Sequence, residues 1–274
     1  MKNEIHMLKS VTGRQMNSFI ITCESGKVIA IDGGWREDAE YFLNYLREVT
    51  GEEKPKIDAW FLSHSHSDHV NLFFEVIDKY RDAVEVGRIY YNFPSVQFLE
   101  KEDKDAAETA REFYEKLPVF ADKICIVSGG DVINVGEAEF EILYSPDFEL
   151  NRNVCNNSSI VFKMTLGGRT AMFTGDCGVE AGEKILRLYK DSGVLKCDIC
   201  QMAHHGQNGC DRPFYEAVAP EICLWCTPQW LWDNDAGKGY NTHCFKTIIV
   251  REWMKDLGVK TDYIIKDGTQ VCKL

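Results

Sequence analysis

The stretch Ser63-His64-Ser65-His66-Ser67-Asp68-His69 constrains this chain more than any other. It gathers three of the seven histidines and a carboxylate, directly after an apolar run, Ile57 to Leu62, that reads as a buried strand. Imidazole and carboxylate are the donors that suit zinc and its neighbours. In an extended segment His64 and His66 project to the same side. Asp68 and His69 then fall at the entry to a helix expected over Val70–Arg81, where they can face a second point close by. The spacing therefore points to a metal site, and to two ions rather than one. A plainer reading makes Asp68 a helix cap and the histidines surface groups, but it gives no reason for so many ligating side chains in one short segment.

The chain has 274 residues, enough for a substantial core. The expected organisation is a single domain spanning residues 1–274, made of two similar halves, about 1–150 and 151–274. The net charge of -12 argues against a non-specific grip on nucleic acid or an anionic membrane, both of which need a basic face. No apolar run has the length of a membrane span, and the first residues lack the apolar core of a signal peptide. Eleven cysteines in no regular framework read as reduced thiols, so a cytoplasmic location is expected. Cys197-x-x-Cys200 and Cys223-x-x-Cys226 resemble halves of a zinc knuckle. Each pair falls in an expected strand, Lys196–Ala203 and Glu221–Thr227, where residues three apart point to opposite faces, so core packing is the expectation.

Strands and helices alternate along the chain. Strands are expected at Glu4–Lys9, Ser18–Glu24 and Lys27–Ile31, the last running into Asp32-Gly33-Gly34. A helix over Asp38–Thr50 stops at Gly51. After the histidine stretch come a strand at Arg88–Asn92, a charged helix over Glu100–Lys116, and strands at Lys123–Val127 and Glu139–Tyr144. The pattern restarts with strands Ser159–Leu166 and Arg169–Phe173, the turn Thr174-Gly175-Asp176 and a helix over Val179–Asp191. A strand at Asp198–Ala203 ends in His204-His205-Gly206, and a short helix covers Arg212–Val218. A strand at Ile222–Thr227 leads to an aromatic loop, Pro228–Asn241. A helix over Cys244–Leu257 and a hairpin over Tyr263–Lys273 finish the chain. Such alternation predicts an α/β fold of four layers, two mixed sheets face to face with helices outside.

Metal-type residues recur where strands end: Asp32, the histidine stretch, Asp176 and His204-His205. Their order, with His64-x-His66-x-Asp68-His69 first, Thr174-Gly175-Asp176 next and a late histidine last, resembles the metallo-β-lactamase-fold hydrolase superfamily over essentially the whole chain. That resemblance implies two divalent ions, zinc before manganese or iron. It assigns His64 and His66 to one ion, Asp68, His69 and the late histidine to the other, and Asp176 as the bridge. In this assignment His205 is the late ligand, with His204 or His243 nearer the substrate. The chain departs from the pattern in one place. No histidine lies between His69 and His204, and Asn156-Asn157-Ser158-Ser159 stands where many members carry one. This stretch, with His204-His205-Gly206 and Tyr240-Asn241-Thr242-His243, is similar to the branch containing the competence DNA-uptake hydrolase domain and phosphorylcholine esterase. The likeness implies an open position at the first ion.

From these residues the expected chemistry is attack by a hydroxide held between the ions on a small phosphoester, phosphodiesters above all. Asp68 belongs to the catalytic set, and His204, His243 or Asn157 could donate hydrogen bonds to the oxyanion or leaving oxygen. Asp32 would orient a ligand histidine. Trp225, Trp230, Trp232 and Tyr240 form either a wall for a ligand cation or, more simply, packing for the loop. Hydrolysis of a carboxylester, thioester or lactone on the same site is the nearest alternative. From other classes come a redox diiron protein, which would carry a carboxylate in place of His66, and a non-catalytic binding module.

Overall fold

The computed structural model describes every residue except 121 and 190. Among the described residues, two sheets of seven strands each form its centre. The first contains β1 (Glu4–Met7), β2 (Ser18–Thr22), β3 (Val28–Asp32), β4 (Lys56–Leu62), β5 (Glu85–Tyr91) and β6 (Ile124–Ile126). The second contains β7 (Val132–Val135), β8 (Ala138–Tyr144), β9 (Val161–Leu166), β10 (Arg169–Phe173), β11 (Ile199–Gln201), β12 (Ile222–Trp225) and β13 (Thr261–Ile264). The last strand, β14 (Gln270–Lys273), returns to the first sheet beside β1. The chain thus crosses from one sheet to the other between Ile126 and Val132, ahead of the junction expected near residue 150.

Alternation along β4 shows how the layers are held. Ala59 and Phe61 point into the core between the sheets, whereas Trp60 and Leu62 point outward onto helices, as the two-residue period of a strand requires; Ile57, at the start of the strand, departs from it and joins the outer cluster. Phe61 meets Phe140 and Phe162 of the facing sheet, ring centroids 4.6 and 5.1 Å apart. Outside the first sheet lie α1 (Ala39–Thr50), α2 (Ser67–Lys79), the short α3 (Val96–Leu99) and α4 (Lys104–Lys116). Outside the second lie α5 (Val179–Tyr189), α6 (Arg212–Val218), α7 (Gln229–Trp232) and α8 (Thr247–Asp256). The four-layer α/β sandwich expected from the sequence is present.

Several elements differ from expectation for identifiable reasons. Helix α2 begins at Ser67 with His66 as its N-cap residue, so Asp68 and His69 project from a helical turn and not from a loop ahead of Val70. The stretch Glu100–Lys116 is not one helix: Asp103 is extended and its carboxylate accepts from the Ala106 amide, starting α4 afresh at Lys104. Residues 244–246 stay outside α8, and the amides of Cys244 and Lys246 donate to His243 Nδ1 and Asn208 Oδ1. The expected helix Val179–Asp191 includes residue 190, which lies outside the described residues. The expected hairpin Tyr263–Lys273 does not form: β13 pairs with β12 and β14 with β1, and buried Ile265 between them enters the inter-sheet core. Cys223 and Cys226 face opposite cores as expected, but Cys197 and Cys200 share one, because β11 is too short to include Cys197.

Candidate metal centre

Strands β3, β4 and β5 run parallel, as do β10, β11 and β12, so the loops that follow them open at the same rim of each sheet. Asp32 ends β3, the histidine stretch follows β4, Thr174-Gly175-Asp176 follows β10 and His204-His205 follows β11. Gly175 brings the two rims together: it has φ +52°, and a Cβ there would lie 2.9 Å from both Ser159 Oγ and Ser63 Cβ. His204 and His205 are both left-handed, φ 53° and 54°, a conformation costing roughly 1–2 kcal/mol for each non-glycine residue. The turn is held by the His204 amide donating to the Gly175 carbonyl (3.1 Å) and by the Thr227 hydroxyl donating to the His205 carbonyl.

Hydrogen bonds fix which nitrogen of each ring faces inward. The His205 Nδ1–H donates to the Cys226 carbonyl at 3.1 Å. The His69 Nδ1–H donates to Asp32 Oδ2 at 2.7 Å, and the His66 Nε2–H to Asp103 Oδ2 at 2.9 Å. Ser63 gives its own hydroxyl proton to Asp32 (2.8 Å) and accepts from His64 Nδ1 (3.0 Å). The remaining nitrogens, Nε2 of His64, His69 and His205 and Nδ1 of His66, thereby face inward, where they present lone pairs once a cation takes the place of their protons. This outer ring of acceptors is the arrangement that orients metal ligands.

The inward atoms converge on Asp176. Its Oδ1 lies 3.1 Å from His69 Nε2, and its Oδ2 lies 3.4, 3.7 and 3.9 Å from Nε2 of His205, His204 and His64. Asp68 Oδ2 is 3.2 Å from His205 Nε2. Ion-pair contacts apart, the buried atoms His69 Nε2, His205 Nε2 and Asp176 Oδ1 have no hydrogen-bond partner among the described residues, a costly state that a bound cation would relieve. Among the described residues three sets of donors have their ligating atoms within 4.8 Å of one another: His64, His66 and Cys155; His64, His69 and Asp176; and Asp68, His69 and His205. The donors fit two divalent ions.

Charge at the centre is divided accordingly. Burial alone would raise the Asp176 carboxyl, but His69, His205 and His204 outweigh it and hold the group well below the usual carboxylate range. Burial opposes a proton on His69 and His205. Asp176 and Asp32 overcome it at His69, and Asp176 and Asp68 raise His205 to about 9. Burial, with His69 alongside, keeps His64 neutral. These charges describe the metal-free protein, where protons occupy places that a cation would take.

All six expected ligands, His64, His66, Asp68, His69, Asp176 and His205, are therefore brought together. His204 stands at the rim with its side chain 18% exposed, and burial lowers its pKa. His243 is not among the donors that converge on Asp176. Its ring stacks on Phe245 (centroids 3.9 Å apart) and its Nδ1 accepts from the Cys244 amide. Asn157 does not face the centre either. Its Nδ2 donates to the Arg152 carbonyl and to Glu180 Oε2, and its Oδ1 accepts from the Ala181 amide, so it caps α5. Of the aromatic residues, two pack: Trp225 donates to Asp262, and Arg251 already covers the Trp232 ring at 3.9 Å, whereas Tyr240 is exposed.

Sequence reasoning missed four participants. Cys155 precedes the Asn156-Asn157 pair and was hidden among eleven cysteines. Asp103 comes from a helix start read as mid-helix. Ser63 is part of the motif but not a ligating type. Gln15 donates to Asp68 Oδ2 at 3.0 Å and accepts from Gln207 at 3.1 Å. Only Cys155 left a usable signal, as a soft donor beside the place of the missing histidine.

The family model of the metallo-beta-lactamase superfamily matches residues 11–209. The chain belongs to that superfamily and is by class a metal-dependent hydrolase. ComE operon protein 3 of Bacillus subtilis (strain 168) is 26% identical over 214 residues, covering 73% of this chain and 25% of that one. The chain thus spans about a quarter of the length of this curated relative. Among solved structures, the fold is shared with the metallo-beta-lactamase fold protein YhfI from Bacillus subtilis, with a TM-score of 0.59, 14% identity, and coverage of 98% of this chain and 99% of that one. It is also shared with CmlA, a diiron β-hydroxylase from Streptomyces venezuelae, with a TM-score of 0.57, 11% identity, and coverage of 100% and 55%. Among the described residues no helix is long and apolar enough to cross a membrane.

Proposed function

We propose that the protein hydrolyses small phosphoesters, phosphodiesters in first place, at a centre holding two divalent ions. The observation that carries this reading is Asp176, whose two carboxylate oxygens face His69 on one side and His205, His204 and His64 on the other. His64 and His66 would hold the first ion, Asp68, His69 and His205 the second, with Asp176 between them. Two such ions lower the pKa of water toward neutrality and take up negative charge on an attacked phosphoryl group.

The chain's own residues do the rest. Asp32, Asp103, Ser63 and the Cys226 carbonyl lock the rings, so little reorganisation accompanies the reaction. Gln15 holds Asp68. His204, neutral because it is buried and exposed only at the rim, is placed to donate a hydrogen bond to the oxyanion or leaving oxygen. Preference for phosphorus over carbon rests on the likeness of the Asn156–Ser159 stretch to the phosphoester-cleaving branch. An imidazole, His66, at the place where a diiron redox centre would carry a carboxylate supports hydrolysis over oxidation.

The test is to load the protein with zinc or manganese and compare turnover of bis(p-nitrophenyl) phosphate with carboxylester, thioester and lactone panels. Phosphodiester turnover should dominate and vanish in Asp176→Ala. Faster turnover of the carbon esters with either metal would overturn the phosphoester assignment, and full activity in Asp176→Ala would overturn the shared-carboxylate centre.

A further inference from the structure

We infer that Cys155 is a thiolate ligand of the first ion, completing a His64–His66–Cys155 donor set that replaces the missing third histidine. The inference rests on the two-ion reading of the centre and adds a protein donor where the resemblance leaves an open place.

Three independent observations support it. First, Cys155 is buried, at 1% exposure, and its Sγ falls within 4.8 Å of ligating nitrogens of both His64 and His66. Those two rings already have their other nitrogens committed to Ser63 and Asp103, and His64 Nε2 and His66 Nδ1 stand 3.0 Å apart. With zinc bonds of about 2.3 Å to sulfur and about 2.0–2.1 Å to nitrogen, tetrahedral donors lie roughly 3.3–3.6 Å from each other, so the two nitrogens need part only slightly and the sulfur is within reach of a common ion.

Second, the segment that carries Cys155 is fixed on both sides. The Asn157 amide donates to the Asn153 carbonyl at 2.9 Å and the Ser158 amide to the Cys155 carbonyl at 3.0 Å. The Ser158 hydroxyl donates to the Val154 carbonyl at 2.6 Å. The Asn157 side chain then ties the segment to α5. The Asn-Asn-Ser-Ser stretch is thereby a frame for Cys155 rather than a ligand itself, and Ser159 at its end accepts from the Asp176 amide at 3.0 Å. One short segment so positions a donor for the first ion and the carboxylate between both.

Third, the same structural unit serves both donors. Cys155 belongs to one buried cluster with Leu99, Ala106, Ala107 and Ala110, the last three on α4, whose N-cap residue is Asp103, the acceptor for His66. Simple core packing would account for the burial but not for a sulfur aimed at two oriented imidazoles. A nitrogen–nitrogen–sulfur set is soft, and it selects zinc over manganese or magnesium at this ion. The thiolate also removes one unit of the ion's positive charge.

The test uses the full chain, stripped of metal and titrated with cobalt(II). The unmodified protein should bind two equivalents and show a sulfur-to-cobalt charge-transfer band in the near ultraviolet. Cys155→Ser should lose the band and weaken the first-site affinity by more than about tenfold, while Cys244→Ser, altered at an exposed thiol, should keep both. Cys155→His serves as the folding control: it should bind two equivalents without the band. Zinc-edge X-ray absorption of the unmodified protein should find one sulfur neighbour at about 2.3 Å, shared between two zincs. Two bound equivalents without the band or the sulfur neighbour, or a band that survives in Cys155→Ser, would overturn the thiolate assignment while leaving the two-ion centre standing. No binding of either metal would overturn both.

Discussion

Asp32 Oδ2 accepts from His69 Nδ1 at 2.7 Å, and the same carboxylate accepts from the Ser63 amide and hydroxyl and from Asn17 Nδ2 at 2.7–2.8 Å. One fully buried carboxylate therefore sets the tautomer of His69 directly and that of His64 through Ser63. Asp32 is itself left-handed, φ 53°, so β3 ends in a strained residue that aims its side chain across the first sheet. Asp32→Asn puts an amide where an oxygen accepted. Its expected result is a roughly 10–100-fold weaker second ion and a loss of about 1–3 kcal/mol of stability. Calorimetric metal titration and denaturant unfolding measure the two, and unchanged affinity would remove Asp32 from the metal's support.

Asp103 has the parallel role for His66, from the start of a helix. Asp103→Ala removes both the acceptor for His66 Nε2 and the cap on Ala106. The first ion should weaken by roughly 10–100-fold while the second keeps its affinity, and stability should fall by about 1 kcal/mol. Stepwise zinc competition with a chromogenic chelator separates the two sites, and equal loss at both would show a general disturbance instead.

His204 and His243 were equivalent candidates in the sequence, and the structure separates them. His204 Nε2 stands 3.7 Å from Asp176 Oδ2, whereas His243 is occupied with Phe245. His204→Ala should lower kcat by roughly 100-fold at unchanged metal content, the usual cost of one lost oxyanion donor. His243→Ala should leave kcat within about threefold. The reverse pattern in steady-state kinetics would place His243 at the substrate.

Asn157→Ala tests the corrected role of that residue. Three hydrogen bonds tie the side chain to Arg152, Glu180 and Ala181, all within the framework that begins α5. The substitution should cost about 1–3 kcal/mol with two ions still bound. Full stability combined with impaired turnover would restore Asn157 to the catalytic set.

These cases show what the sequence reveals and where it stops. Spacing identifies His64 to His69 because the ligands share one strand end and one helical turn, so local geometry nearly suffices. It identifies Asp176 and His205 only through resemblance, since they come from the facing sheet. Asn157 is ambiguous because one amide suits an oxyanion and a helix start equally well, and the choice depends on Glu180 and Arg152. The turn at Asp267-Gly268 is real, yet β13 and β14 enter different sheets, a partition that no local signal encodes. Cys155 needed the fold to bring it to His64 and His66.

Removal of metal should make stability depend on pH in a definite sense. In the metal-free protein Asp176 and Asp68, acting against burial, raise His205 from an ordinary 6.5 to about 9, and His69 is raised by Asp176 and Asp32. A group whose pKa rises on folding stabilises fully below its unfolded value and loses that contribution as pH climbs through its folded value. The His205 contribution is therefore complete below about pH 6.5 and gone above about 9, and is worth on the order of 3 kcal/mol. Asp176 and Asp68 are the other halves of the same pairs, and their depressed pKa values make the opposite loss occur in acid. Bound ions displace the ring protons, so apparent metal affinity rises over the window in which stability of the stripped protein falls. Thermal unfolding from pH 6 to 10 should show a falling Tm for the stripped protein and a nearly level one for the zinc-loaded protein. A stripped protein whose Tm stays level or rises through pH 7–9 would mean that His205 and His69 are not protonated beside Asp176.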